Sequence, residues 1–335
     1  MSDGGAAATG GETATETADR TGVSSLPTVR GMGVTDLAAV GGGVVWVLAS
    51  LLGGLTAVER ALALAPLVVV PIGIGLAAQR GFDGTAGRLL SLAAVGQPVG
   101  AALLLLSLFS AGSLATLTAA AWLPVTGLLG LAGFVRARDR GFYRSPRDLS
   151  ETLVDAGLGY VSVAAVALVL YQQGITFWFD PIIVFLTAVH FHFAGFTLPV
   201  LAGVTGRHLG GFGGLARTVA SVILMGPAII AVGISFSPLV EVVAVGGFTV
   251  AVAAFGLLVL LRVVPTLDLI PGALVAVAAL ALPVSMVLAL GYGIAAFSGT
   301  NPLGLGIGRM VTLHGSLNAY GFALCGVVGW RVSRD

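Results

Sequence analysis

The sequence predicts an all-α polytopic membrane protein, a bundle of about ten transmembrane helices. Three observations predict it. Hydrophobic side chains make up 57% of the 335 residues and charged ones only 9%, where soluble chains carry about 25% charged residues. The mean hydropathy is +1.03. The apolar residues also come in runs of roughly 20, enough to cross about 30 Å of hydrocarbon at 1.5 Å per residue. A transmembrane barrel would instead show alternation in segments of about ten, and none is visible.

Residues 1–33 are rich in Gly, Ala and Thr, with scattered acids and no apolar run. They read as a disordered tail rather than a signal peptide, which needs a basic start and an apolar middle. Residues 34–335 then read as a single transmembrane helical domain. Its spans are expected near 36–57, 61–79, 89–110, 113–135, 152–172, 181–205, 216–236, 238–261, 269–297 and 303–330.

All sixteen basic residues are arginines, and they alternate with these spans. Arg20 and Arg30 precede the first span, Arg80 and Arg88 follow the second, and Arg136, Arg138, Arg140, Arg144 and Arg147 follow the fourth. Arg207 and Arg217 flank the sixth-to-seventh connection, Arg262 follows the eighth, and Arg331 and Arg334 follow the tenth. Fourteen of sixteen thus fall on one side, with Arg60 and Arg309 as the exceptions. The positive-inside rule then places the tail and both termini in the cytoplasm of a multi-pass cell-membrane protein.

Start signals recur on the other side. Asp180-Pro181, Ser237-Pro238 and Asn301-Pro302 each put a capping side chain before a proline suited to the first helical position. Phe177-Trp178-Phe179 reads as an interfacial aromatic belt. The fifty glycines read as close helix packing, since no GxxxxGK[ST] phosphate loop is present. A net charge of +1 without a basic stripe excludes nucleic acid as a partner and leaves the lipid bilayer. The single Cys325 cannot form an internal disulfide.

Candidate chemistry rests on three histidines inside apolar runs, because an ionisable group at membrane depth is costly and marks function by default. His190 and His192 lie in the sixth span and His314 in the tenth. His190 is ten residues past Asp180 and His314 eleven past Leu303, so each imidazole is expected about 15 Å down, near the bilayer midplane. Residues two apart on an α-helix point about 200° apart, so His190 and His192 cannot share a face. One should face the bundle interior and the other a neighbouring helix. Asn318 shares a face with His314, and Gln97, just before Pro98, is expected at similar depth. The plainer alternative is that these groups only hydrogen-bond across helices, at roughly 0.6 kcal/mol each.

No Asp or Glu is expected near that depth, so any proton relay would run through imidazole. A Ser-His-Asp triad lacks its acid and HExxH is absent, so a non-enzymatic role is favoured.

The chain resembles the YndJ-like family of bacterial and archaeal membrane proteins. The likeness is carried by His190-Phe-His-Phe-Ala-Gly-Phe196, continuing to Pro199 and Arg207, and by His314-Gly-Ser-Leu-Asn-Ala-Tyr-Gly-Phe322. It implies a multi-span membrane protein, a class sometimes labelled transporter.

Two functions follow as expectations. The first is a carrier for a small solute, with a site between the sixth and tenth spans formed by His190, His192, His314, Asn318 and Gln97, and helices broken at Pro98, Pro124, Pro199 and Pro283. The second is a redox protein or enzyme holding haem, Zn or Cu through His190, His192 and His314. A structural or partner-binding membrane subunit is the third and plainest reading.

Overall fold

The structure is a computed structural model that describes residues 26–142, 148–301 and 304–333. Ten helices in it are long and apolar enough to cross a membrane: Val34–Leu52, Ala57–Ala77, Gly84–Leu108, Gly112–Arg140, Asp148–Gln172, Pro181–His208, Gly214–Phe236, Pro238–Thr266, Leu269–Ala295 and Ile307–Val332. Each corresponds to one expected span. Residues 1–25 of the expected tail lie outside the described residues, and its last stretch is ordered. There Thr28–Val29 pairs antiparallel with Met32–Gly33 in a two-stranded turn leading into the first span.

The second span is the axis of the bundle. Of its apolar window 89% is buried inside the protein, against 17% for the first span beside it. Small residues permit the enclosure: a Cβ at Gly42 would sit 1.9 Å from the Leu67 carbonyl oxygen, so the first span lies directly on the second.

Prolines shape the interior helices, in a pattern partly different from the expected one. The helix runs unbroken through Pro98 and Pro283, which lie inside continuous spans. At Pro124 the fourth span is interrupted just upstream, between helical segments ending at Ala120 and starting at Trp122. Before Pro71 and Pro199 the helix widens instead. Ala65–Val69 and Phe191–Thr197 are π-helical, with the Val70 amide bonding Ala65 O and the Leu198 amide bonding Phe193 O. Proline has no N–H to continue the ladder, and the widened turn re-registers the amide just before it. The tenth span carries π segments at Val311–Gly315 and Leu317–Leu324 without any proline. The π segments of the second, sixth and tenth spans touch one another in the bundle centre.

The Asn301-Pro302 start signal does not open the tenth helix. Asn301 instead closes a turn by accepting from the Leu305 amide and donating to its carbonyl, and the helix begins at Ile307. Asp180 and Ser237 do cap, accepting from the amides of Ile182 and Val240.

The arginine-rich end is locked by ions. Arg136 contacts Asp155 at 2.6 Å and Glu151 at 2.9 Å, Arg140 contacts Asp155, and Arg207 contacts Glu151 at 2.7 Å. Other guanidinium donors of Arg136 and Arg207 reach carbonyls at and just past the end of the second span, Arg80 O, Leu76 O and Ala77 O, and Arg136 also donates to Glu151 O. Leu76 O and Ala77 O are carbonyls that a helix terminus leaves without intrahelical partners, and positive charge there also opposes the helix dipole. The fourth, fifth and sixth spans are thereby fastened around the end of the second. Arg331 at the end of the tenth span joins Asp36 at the start of the first.

Candidate functional site

The two neighbouring histidines of the sixth span, at the junction of its α-helical and π-helical parts, turn to different helices. His192 is fully buried and turns to the fourth span, where its Nε2 accepts from Trp122 Nε1 at 3.1 Å. Its Nδ1 lies 2.8 Å from the Ala188 carbonyl. A carbonyl can only accept, so Nδ1 carries the proton and Nε2 the lone pair that Trp122 uses. Both nitrogens of His192 are therefore committed within the protein. The Thr197 hydroxyl donates to His192 O five residues back, helping to satisfy the π-helical turn.

His190 turns instead to the tenth span, its ring centroid 6.2 Å from that of His314 with planes 30° apart. Its Nδ1 donates to Leu186 O at 2.7 Å. His314 Nδ1 lies 3.0 Å from the Ser285 carbonyl and 2.9 Å from Ser285 Oγ, on the ninth span. The same logic puts the proton on Nδ1 in both rings and a lone pair on both Nε2 atoms. Among the described residues neither Nε2 has a hydrogen-bonding partner. His190 is exposed and His314 half-buried. The pair is therefore not sealed in the core, as His192 is.

Asn318 supports this arrangement from one turn along. Its amide donates to Ser285 Oγ at 2.5 Å and to His314 O at 2.8 Å. Both Asn318 N–H groups are thus used, leaving its Oδ1 as an acceptor. The Thr187 hydroxyl donates to its own Ile183 carbonyl at 2.8 Å.

Gln97 lies elsewhere. Its amide donates to Pro66 O, a carbonyl whose partner five residues on would be Pro71, which has no N–H. Gln97 therefore repairs the π turn of the second span and makes no hydrogen bond to either histidine of the pair. Its Oε1 is buried without a partner.

The five residues expected in one site thus divide into a pair with a support and two interhelical ties. His190 and His314 come together, Asn318 positions His314, His192 ties the sixth span to the fourth, and Gln97 ties the third to the second. Ser285 and Trp122 were not singled out by sequence reasoning. Ser285 could have been, as a lone hydroxyl two residues past Pro283 in an otherwise apolar run; Trp122 carries no such signal.

The pair meets the distance requirement for a shared ion. Metal–imidazole nitrogen bonds of about 2.1 Å put two ring centroids roughly 6 Å apart across one ion. It lacks a third protein ligand of the usual kind: among the described residues no three His, Cys, Asp or Glu cluster.

Comparison with known proteins agrees with these motifs. The YndJ-like protein family matches residues 60–322, from the second span through the His314 motif. The chain is 30% identical over 185 residues to the protein named "Uncharacterized membrane protein YndJ" from Bacillus subtilis (strain 168). That match covers 55% of this chain and 33% of the relative, so the chain spans about a third of the relative's length. No solved structure matches the chain. With ten apolar spans and a family match over most of its length, the chain is a multi-pass membrane protein that belongs to the YndJ-like family.

Proposed function

We propose that the protein is a carrier for a small solute, with its binding site between His190 and His314 and with both termini in the cytoplasm. One observation carries the reading: two imidazoles from separate spans stand 6.2 Å apart with their Nε2 lone pairs unused. A purely structural polar contact would spend those lone pairs on the protein, as His192 does on Trp122. The helices beside the site support the reading too. The π segments of three central spans meet there, and π turns are frequent at functional sites. Carriers place their sites where helices lose regularity in the bundle interior.

Two-sided accessibility tests the carrier reading without knowledge of the solute. Thr187→Cys in a Cys325→Ala background should react with a membrane-impermeant maleimide both in right-side-out and in inside-out vesicles. Reaction from one side alone would contradict alternating access.

The second reading is a redox protein using the same pair. It is favoured by the Nδ1–H donated from each ring to a backbone carbonyl, the arrangement that orients metal-bound histidines. An absorption spectrum of purified protein with redox bands lost on His314→Ala would favour it over the carrier.

A further inference from the structure

We propose that the species held between His190 and His314 is a borderline or soft transition-metal cation, of the Zn2+ or Cu+ class; this rests on the carrier reading and names its cargo. The argument begins with the donor and acceptor count. Around the pair, Asn318 has spent both N–H groups and the Thr187 hydroxyl is spent on Ile183 O. The Nδ1–H groups of His190 and His314 are spent on Leu186 O and Ser285. What remains is three lone-pair atoms, His190 Nε2, His314 Nε2 and Asn318 Oδ1, against one donor, the hydroxyl hydrogen of Ser285, whose oxygen already accepts from Asn318 and stands beside His314 Nδ1. An anion would find one hydroxyl and no cationic or amide donor to receive it, while a cation would find three lone pairs.

The choice among cations follows from the ligand atoms. Ca2+ and Mg2+ take oxygen ligands, carboxylates above all, and no carboxylate is bonded to either imidazole or to Asn318. Neutral imidazole suits Zn and Cu. The two rings are already held in the tautomer that presents Nε2, and a backbone carbonyl behind each is the outer contact that metal-binding histidines use. The 6.2 Å separation matches two imidazoles sharing one ion.

The approach is also suited to a positive charge. At this end of the bundle the described spans begin with Glu59, Asp180 and Glu241, against Arg60 and Arg309. The opposite end holds nearly all the arginines. Two protein ligands with water completing the shell make an exchangeable site, as a carrier requires, whereas structural zinc is closed by four protein ligands.

The test uses the full-length protein in detergent, stripped with a chelator and titrated with Zn2+, and with Cu+ under reductant, against a chromophoric competitor. About one ion per chain should bind. Affinity should fall about tenfold or more for His190→Ala and for His314→Ala, and stay unchanged for His208→Ala, which alters an imidazole bonded to Thr266 at the other end. Retention of the ion by both single variants, or binding of Mg2+ or phosphate with none of Zn2+ or Cu+, would overturn the assignment. Should either alanine variant misfold, Co2+ added to the unmutated protein decides. Visible bands of a nitrogen-ligated ion support the site, and the spectrum of hydrated Co2+ refutes it. Failure here with Thr187→Cys still labelled from both sides removes the cargo and leaves the carrier. A bound ion with one-sided labelling does the reverse.

Discussion

The arginine-rich end of this bundle and its middle, where His190 meets His314, treat their polar groups in opposite ways. At the arginine-rich end, the side chains of Arg136 and Arg207 are almost wholly buried, and their guanidinium donors reach carboxylates and backbone carbonyls. Between the sixth and tenth spans, His190 and His314 each commit one nitrogen to a carbonyl and leave the other open. The first arrangement is closed and cross-braced; the second is incomplete until something enters it. In a bundle without a hydrophobic force between helices, polar contacts can either fasten spans together or wait for a ligand, and this molecule assigns the two uses to different residues, with His192 two positions from His190 serving as a tie.

The largest expected effect comes from opening the closed end. Arg136→Ala leaves buried Asp155 with Arg140 alone and takes the donor from Arg80 O, and weakening a buried pair in this way should cost about 3 kcal/mol, the low end for losing a partner outright. Thermal unfolding in detergent should show a severe loss, or the folded yield should collapse. An unchanged midpoint would break the contrast, because it would make the ion lattice ornamental.

A smaller loss is expected where a histidine is structural. Trp122→Phe keeps the ring volume approximately but leaves His192 Nε2 buried without a donor, at about 1–3 kcal/mol. By contrast, His190→Ala removes an imidazole whose only bond is to its own helix, and stability should change by no more than about 0.5 kcal/mol. If His190→Ala destabilised as much as Trp122→Phe, the distinction between a tied and an open histidine would fail.

The smallest effect sharpens the role of Gln97. Gln97→Met gives up the bond to Pro66 O yet also removes a buried oxygen that has no partner. The two terms oppose each other, so the net change should stay within about 1 kcal/mol. Any ion binding should be unaffected, and a loss of binding on Gln97→Met would return Gln97 to the site.

Much of this architecture is legible from residue order because membrane spanning imposes a coarse rule. The ten spans follow from apolar run length, and the grouping of arginines at one end follows from their positions between runs. The divergence of His190 and His192 follows from helical geometry alone, and their depth brings His190 within reach of His314. What stayed hidden are choices among neighbours. Nothing in the sixth span states that His192 faces Trp122, since that depends on which helix packs alongside. Glu151 and Asp155 sit four apart, as do Arg136 and Arg140, and each pair marks one helix face. The sequence order does not reveal that these two faces meet. The π turns before Pro71 and Pro199 were equally hidden, because Pro98 and Pro283 produce no such widening. Local sequence sets the missing N–H, while packing decides how the helix absorbs it.

The convergence of His190 and His314, with His192 turned away, is tested most directly by cross-linking. In a Cys325→Ala background, His190→Cys with His314→Cys should join rapidly through a short bifunctional thiol reagent, within one chain. His192→Cys with His314→Cys should stay unjoined under the same conditions. Efficient joining of the second pair and none of the first, in protein that remains folded, would contradict the account at its centre.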